Sequence, residues 1–442
     1  MTTTDLDFTV RNLGARKIDS LLNIGHYIPD NRRILFNIDP DHYDDLKTPE
    51  GQPLSVEVAG PREKPFFDPS QTKAAIITCG GLCPGINNVI RAVVMELYHR
   101  YGVRNIIGVQ YGFQGLIPRF GHDLIELTPE VVKDIHTLGG SFLSSSRGKQ
   151  DVTEMVDTLK RKNIDIFFCI GGDGTMRAAE AITEEIGRRK LNISVIGIPK
   201  TIDNDLNLIQ KTFGYDTAIA EAINAIKSAH VEARGAPMGI GMVKIMGRQS
   251  GHIAVGAALA LSEVNFVLIP EVPFDLDGEE GFLRALQKRL IERNHCVILV
   301  AEGAGQEFFR CTSAAEETDA SGNVKLMDIG VFLKMKIEEY FKEAGLEINL
   351  KYIDPSYMIR SVPANASDSI YCGALGQYAV HAGMAGKTGM LVGLMKDEFV
   401  HLPLTVVTSG RQVDPGGNLW MRVLESTGQP SIRSSRERRI PA

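Results

Sequence analysis

The sequence has no excess of basic residues, and that absence limits what it can bind. Its 442 residues contain 48 Lys and Arg against 54 Asp and Glu, a formal net charge of -6. A surface made for nucleic acid carries a basic excess that neutralises phosphates along its length, so no nucleic-acid partner is expected. Long apolar runs are also missing. The most apolar long stretch, residues 253–270, is broken by Ser262, Glu263 and Asn265, which a bilayer core would not accept, so no membrane span is expected. Cysteine is scarce: Cys79, Cys83, Cys169, Cys296, Cys311 and Cys372 fall mostly in apolar runs, and no stretch ahead of them reads as a secretory signal. Reduced, buried thiols in a cytoplasmic protein are the expectation. Cys79 and Cys83 are spaced C-x3-C, but no second Cys or His pair lies near in sequence to complete a zinc site. Heptads, repeats with a period of about 20 to 50 residues, and an assignable Ser/His/Asp triad or Cys nucleophile are absent as well.

What remains is an ordinary globular composition, 43% hydrophobic, in a chain long enough for two or three domains. Residues 1–72 are rich in Asp, Pro and Arg, with turn signals at Pro29-Asp30-Asn31 and Asp39-Pro40-Asp41, and read as an N-terminal extension packed on the main body. From Lys73 a new pattern starts: apolar residues 74–78, the turn Gly80-Gly81-Leu82-Cys83-Pro84-Gly85, then Ile86, Val89, Ile90, Val93, Val94 and Leu97 at helical spacing. That is a βα unit. Apolar runs recur at 106–109, 164–170 and 193–198, with helices expected over 152–160 and 176–188, which predicts a parallel sheet. A second series has helices at 218–230 and 252–261 and strands at 239–245, 266–269 and 296–301. A later helix at 374–383 and strand at 390–394 can rejoin the first series. The expected division is a lobe over 73–213 completed by 358–405, a second lobe over 214–357, and an extension over 406–442 that ends in the arginine-rich, solvated stretch 431–439.

The most informative run is Gly171-Gly172-Asp173-Gly174-Thr175, directly after the apolar residues 164–170. Glycines let backbone amides approach phosphate oxygens, helix N-terminal amides favour anions, and the one aspartate has the chemistry to hold a magnesium ion. Taken singly, this run and those at Gly80-Gly81 and Gly139-Gly140 are equally readable as tight turns. Together, as strand-end loops of one parallel sheet with Arg147 between them, they point to a polyphosphate site. Lys200-Thr201-Ile202-Asp203-Asn204-Asp205 adds two carboxylates two residues apart, which in extended backbone project the same way, as a base and its partner would. An Asp-Asn-Asp turn capping a helix is the other reading. Arg248 and Arg360 read either as ligand contacts or as surface charge, and Glu302, just past a strand end, reads either as a contact for a ligand hydroxyl or as a solvated carboxylate. The run Gly383-Met384-Ala385-Gly386-Lys387-Thr388 ends like a P-loop, but the first required glycine falls at His381 and the helix precedes the strand, so we read a helix C-cap and turn.

Across about residues 73–405 these motifs resemble the 6-phosphofructokinases. The residues Gly80 to Asn87 are similar to that family's first nucleotide loop, Ser144-Ser145-Ser146-Arg147-Gly148 to its phosphate-contacting loop, and Gly171 to Thr175 to its donor and magnesium loop. Thr201 to Asp205 are similar to its catalytic segment, Met246-Gly247-Arg248 to its sugar-phosphate loop, and Tyr357-Met358-Ile359-Arg360 to its last substrate segment. The resemblance implies an α/β fold of two Rossmann-like three-layer lobes with mostly parallel sheets. It implies phosphorylation of fructose 6-phosphate by ATP with Mg2+, the committed step of glycolysis, in an allosteric homodimer or homotetramer. Asp203 would be the general base on the 1-hydroxyl with Thr201 beside it, and Asp173 would serve magnesium. Gly81, Arg147, Gly148, Gly172, Asp173, Gly174 and Thr175 would hold ATP. Thr201, Ile202, Met246, Gly247, Arg248, Glu302, Lys351, Tyr357, Met358, Ile359 and Arg360 would hold the sugar phosphate.

The sequence departs from the better-known bacterial ATP enzymes at Lys200, where those have glycine and pyrophosphate users have lysine. Pyrophosphate users also tend to carry an aspartate where this chain has Gly174, which leaves room for the α-phosphate of ATP. This mixed signature resembles an atypical ATP-dependent group. Tyr357 and Lys351 stand where histidine and arginine are usual, and a lysine cannot reproduce arginine's two-pronged bond. Arg234 is the candidate for an arginine offered to a neighbouring subunit. The alternatives are pyrophosphate as donor, a catalytically silent nucleotide-binding regulatory subunit, and a lipid or NAD kinase. The last leaves the runs at 201–205 and 246–248 unexplained.

Overall fold

Strands that are apolar at every position need cover on both faces, and the central strands of this chain have it. Ile166–Gly171 and Ser194–Pro199 are buried throughout. Their side chains alternate between two helical layers. Phe167 and Cys169 join Met155, Val156, Met176 and Ile182 of the helices Val152–Arg161 and Asp173–Arg188. Ile166 and Phe168 face the other way, toward Gly383 of the helix Ala366–Met384, beside which Ile86–Met95 packs.

The computed structural model describes residues 6–19, 26–38, 47–48, 51–309, 324–407, 410–430 and 432. Cys311, the turn at Asp39-Pro40-Asp41 and the arginines at 433–439 lie outside them. The chain forms two compact units: Met1–Thr201 with Leu206–Gly214 and Ser361–Ser409, and Ile202–Asp205 with Tyr215–Arg360 and Gly410–Ala442. Among the described residues the first unit holds a two-stranded antiparallel sheet, Arg11–Asn12 with Lys387–Thr388, and a nine-stranded sheet in the order Arg33–Leu35, Ser55–Val58, Glu398–Pro403, Met390–Met395, Ser194–Pro199, Ile166–Gly171, Lys73–Thr78, Asn105–Val109, Leu124–Glu126. The run from Met390–Met395 to Asn105–Val109 is parallel, and the strands outside it pair antiparallel. The second unit's sheet is parallel throughout, in the order Phe266–Leu268, His295–Ala301, Gly239–Ile245, Asn349–Ile353. Ile240 and Met242 pack on the helices Phe282–Arg293 and Ile329–Glu343. On the opposite face the helix Tyr215–Arg234 lies so close that a Cβ on Gly241 would sit 2.4 Å from the Ala229 carbonyl oxygen.

Both units are therefore three-layer α/β sandwiches, as expected. Several boundaries differ. The helix expected from 176 begins at Asp173, and the one expected from 374 begins at Ala366, where the Asn365 side chain accepts from the Asp368 amide. In each case a polar first turn hides the start from apolar periodicity. The strand Ser55–Val58 and the helix Asn418–Thr427 were not foreseen. The latter buries Trp420, Val423 and Thr427 and packs on His252–Ala260, so residues after 410 contribute to the second unit's core. Gly386 takes a left-handed φ of 73° just past the helix Ala366–Met384, which is the turn expected there, and no helix among the described residues is long and apolar enough to cross a membrane.

The edge strand Ser55–Val58 is held by charge as well as by pairing. Glu57 stands opposite His401 and is buried, with Nδ1 of His401 3.0 Å from its carboxylate. The carboxylate also accepts from Arg62 at 2.6 Å and from Lys387 at 2.9 Å. Burial alone would raise its pKa, but the bonds and charges of His401 and Lys387 outweigh burial and hold it well below the usual carboxylate range. Glu57→Ala leaves two buried cations without this partner, and is expected to lower stability by about 3–5 kcal/mol in urea unfolding. A loss under about 1 kcal/mol would show that other groups or water satisfy those cations.

Candidate active site

Three parallel neighbours of the first unit, Lys73–Thr78, Ile166–Gly171 and Ser194–Pro199, end on one edge of the sheet. There the loops leave the ladder and their backbone groups can meet a ligand. Backbone bonds align these ends: the Cys79 amide donates to the Ile170 carbonyl and the Lys200 amide to the Gly171 carbonyl, each at 2.9 Å. The buried Lys200 ammonium crosses to the Gly81 carbonyl at 2.7 Å. The loop carrying Arg147 is tied to the same edge, because the Gly80 amide donates to the Ser146 carbonyl at 3.2 Å and the Ser145 hydroxyl to the Gly80 carbonyl at 2.6 Å. The structure thus gathers Gly81, Arg147, Gly148, Gly172, Asp173, Gly174, Thr175, Lys200 and Thr201. Arg147, Gly148 and Gly174 are exposed, while Thr175 is buried. Burial pushes the neighbouring Cys79 thiol up to about 12, so it is chemically quiet.

Because the helix starts at Asp173, the glycine run is its first turn as well as a loop. No side chain of the described residues caps it at Gly172, so its leading amides suit an anion. Arg177, one turn on, pairs with the Asp173 carboxylate at 2.7 Å. This partner went unrecognised because an i,i+4 pair is visible only once the helix start is known. Among the described residues no three His, Cys, Asp or Glu side chains converge, so a metal here would draw one carboxylate from the protein and the rest from water or phosphate oxygens. That sparse donor set suits Mg2+.

In the second unit the segment 202–205 is not extended. Asn204 has φ 52°, which breaks the alternation and corrects the expectation that Asp203 and Asp205 project the same way. The hydroxyl of Ser250 donates to the Asp203 carbonyl at 3.4 Å, and the amides of Gly410 and Arg411 donate to the Asp205 carbonyl at 3.0 and 2.9 Å. Met246, Gly247 and Arg248 follow the end of Gly239–Ile245, and Glu302 follows the end of the adjacent His295–Ala301. The Glu302 amide donates to the Ile245 carbonyl at 2.9 Å and the Gly303 amide to the Gly247 carbonyl at 3.1 Å. Burial raises the Glu302 carboxyl above its usual range, opposed by the charges of Arg248, Lys244 and Arg360. Arg248 also donates to the Val324 carbonyl. The Arg360 guanidinium lies 4.9 Å from the Tyr357 ring centroid, with Tyr357 and Met358 exposed and Ile359 buried.

Two candidates stand apart from these strand ends. Lys351 is exposed in mid-strand opposite Gly241, five residues or roughly 16 Å along the sheet from the level of Met246. Arg234 ends the helix whose Ala233 lies against Gly239, at the other end of that strand.

Comparison with known proteins gives one consistent result. A family model described as Phosphofructokinase matches residues 73–383. The chain is 49% identical over 440 residues to the ATP-dependent 6-phosphofructokinase of Borreliella burgdorferi, covering 96% of this chain and 97% of that one. It is 48% identical over 438 residues to the enzyme of the same name from Amycolatopsis methanolica, covering 96% and 95%. Among solved structures it is similar in fold to a pyrophosphate-dependent phosphofructokinase from Marinobacter aquaeolei, with TM-score 0.66, 20% identity, and 82% of this chain and 92% of that one covered. Pichia pastoris phosphofructokinase gives TM-score 0.61 at 21% identity, covering 82% of this chain and 38% of that one.

Two glycines in these loops have opposite surroundings. A Cβ on Gly303 would lie 1.9 Å from the Arg248 carbonyl oxygen, whereas a Cβ on Gly174 would meet nothing within 4 Å. Gly303→Ala must therefore displace the Met246–Arg248 loop and is expected to cost about 1–3 kcal/mol. Gly174→Ala, in a helix turn, should be neutral or stabilising by up to about 1 kcal/mol. Thermal unfolding of the two variants side by side checks this, and the opposite order would refute the contact geometry.

Proposed function

The chain belongs to the phosphofructokinase family, and we propose that it is an ATP-using member that transfers the γ-phosphoryl group of ATP to the 1-hydroxyl of fructose 6-phosphate, giving fructose 1,6-bisphosphate in glycolysis. Gly174 carries the choice of donor. It is exposed at the start of a helix with open space where its side chain would be, and it offers an amide rather than a carboxylate to the donor. An aspartate there would crowd and repel the α-phosphate of a nucleotide. Lys200, the residue that favours a pyrophosphate reading, already gives one ammonium hydrogen bond to the Gly81 carbonyl and so serves the nucleotide loop itself.

Phosphoryl transfer asks a protein for alignment and charge neutralisation more than for covalent chemistry. In the first unit Gly81, Gly172, Gly174 and Thr175 present backbone and hydroxyl donors to phosphate oxygens, and Arg147 and Gly148 complete the nucleotide contacts from the exposed rim. Asp173 would hold Mg2+, which when bound neutralises phosphate charge, and Arg177 orients that carboxylate. In the second unit Arg248 and Arg360 supply cations for the sugar phosphate. Glu302 accepts from sugar hydroxyls, and Met246, Gly247, Tyr357, Met358 and Ile359 shape the surroundings. Asp203 takes the proton of the attacking hydroxyl, with Thr201 and Ile202 flanking it. Lys351 extends this set on family resemblance, as does Arg234 for a neighbouring subunit. We further propose a cytoplasmic homodimer or homotetramer.

Purified protein is expected to form fructose 1,6-bisphosphate with Mg-ATP and little with pyrophosphate, read by a coupled assay for the product. Preference for pyrophosphate would sink the reading of Gly174. Asp203→Ala should lower kcat by about 100-fold or more, as loss of a general base does. Turnover within a few-fold of the parent would remove Asp203 from that role.

A further inference from the structure

Two polar side chains are buried directly behind the catalytic segment and have no part in the reaction just described. Ser250 and His252 are 1% and 4% exposed, at the entry to the helix His252–Ala260. Buried hydroxyl and imidazole groups need partners, and these two use each other and the segment. The Ser250 hydroxyl lies 2.5 Å from Nδ1 of His252 and 3.4 Å from the carbonyl oxygen of Asp203.

A serine hydroxyl has one proton to give. If it is directed at the Asp203 carbonyl, the short contact to His252 is a hydrogen bond only when Nδ1 carries a proton and donates. Burial, then the charge of Arg411, pushes the His252 pKa down to about 4, so the ring is neutral at ordinary pH and its one N–H is available for this bond. The Tyr215 hydroxyl donates to the His252 carbonyl at 3.0 Å and fixes the residue that holds the ring. With the serine proton given to Asp203, the donor sequence runs from His252 to Ser250 to Asp203.

The other end of the segment is held independently. Gly410 and Arg411 fix the Asp205 carbonyl, and the half-buried Glu271 joins that strap to the serine's own loop by accepting from the amides of Val413 and Gly251, each at 2.8 Å. Asn204, between the two held carbonyls, is in the left-handed region, a conformation that persists only where its surroundings impose it.

We propose that Ser250 and His252 are positioning residues for phosphoryl transfer. They fix the peptide that follows the Asp203 side chain, and so the direction from which its carboxylate meets the substrate hydroxyl. The proposal rests on the reading of Asp203 as general base, and the test separates the two. Ser250→Ala, Asp203→Asn and the double variant are assayed with saturating ATP and fructose 6-phosphate. Ser250→Ala is expected to lower kcat about tenfold, the size expected of one hydrogen bond, with both KM values within about twofold of the parent. In the Asp203→Asn background the same change should have no further effect, because what it positions is already gone. A kcat for Ser250→Ala within twofold of the parent overturns the proposal. So does a tenfold loss repeated in the Asp203→Asn background, which would mean that Ser250 acts elsewhere. If Asp203→Asn alone keeps near-parent turnover, the base reading fails, and that is seen without Ser250. His252→Phe keeps the serine and the 3.5 Å bond it accepts from the backbone amide of residue 252, but removes the imidazole partner. It is expected to shift kcat in the same direction with the same dependence on Asp203, and it carries the cycle if Ser250→Ala does not fold.

Discussion

Covering a parallel sheet on both faces leaves a ligand almost nowhere to reach the backbone except at the strand ends. That constraint organises this molecule. Ile166–Gly171 and Ser194–Pro199 have no side chain open to water, so the groups that can contact a polar ligand lie in the loops that follow them. The glycines at 80, 81, 171 and 172, the loop at 144–148 and Lys200 occupy one such edge. Met246 to Arg248 and Glu302 occupy the corresponding edge of the second sheet.

The chemistry depends on how firmly those loops are held. A reaction whose protein contribution is alignment loses rate when its donors drift, because small displacements of reacting groups weigh heavily. Here the loops are stitched with backbone bonds of 2.9–3.2 Å and with two side-chain ties, Ser145 to Gly80 and Lys200 to Gly81. Lys200 shows how one residue can be read two ways. Its position beside the catalytic segment suggests a donor-phosphate contact, while its burial and its bond to Gly81 give it a scaffolding task.

What was legible in the sequence follows the reach of the signals. Apolar runs flanked by glycine turns located the central strands well, and Gly239–Ile245 matches its expected limits. The helical spacing of Ile86 to Val94 was equally clear. Three kinds of feature were not legible. Helices with polar first turns began earlier than expected, which hid the pairing of Asp173 with Arg177. A local conformation, the left-handed Asn204, broke an argument that assumed extended backbone. Contacts between residues distant in sequence, such as Glu57 with His401 or Ser250 with Asp203, leave no periodic trace. Ser250 lies two residues past the run singled out for Arg248, and only its burial marks it as more than a turn residue.

The chain crosses between its two compact units at Thr201–Ile202, Asp205–Leu206, Gly214–Tyr215, Arg360–Ser361 and Ser409–Gly410. This interleaving bears on biosynthesis. Met390–Met395, which pairs with the central strand Ser194–Pro199, is made long after it, and the Gly410–Val413 strap that holds Asp205 is made later still. While the polypeptide is still on the ribosome, Ser194–Pro199 therefore lacks a neighbour and the catalytic segment lacks one of its anchors. Domains ordinarily fold one after another as they emerge. Here the first unit lacks its last segment, Ser361–Ser409, until most of the second has been made, so the nascent chain must keep an unfinished sheet edge from pairing with other chains until that segment emerges.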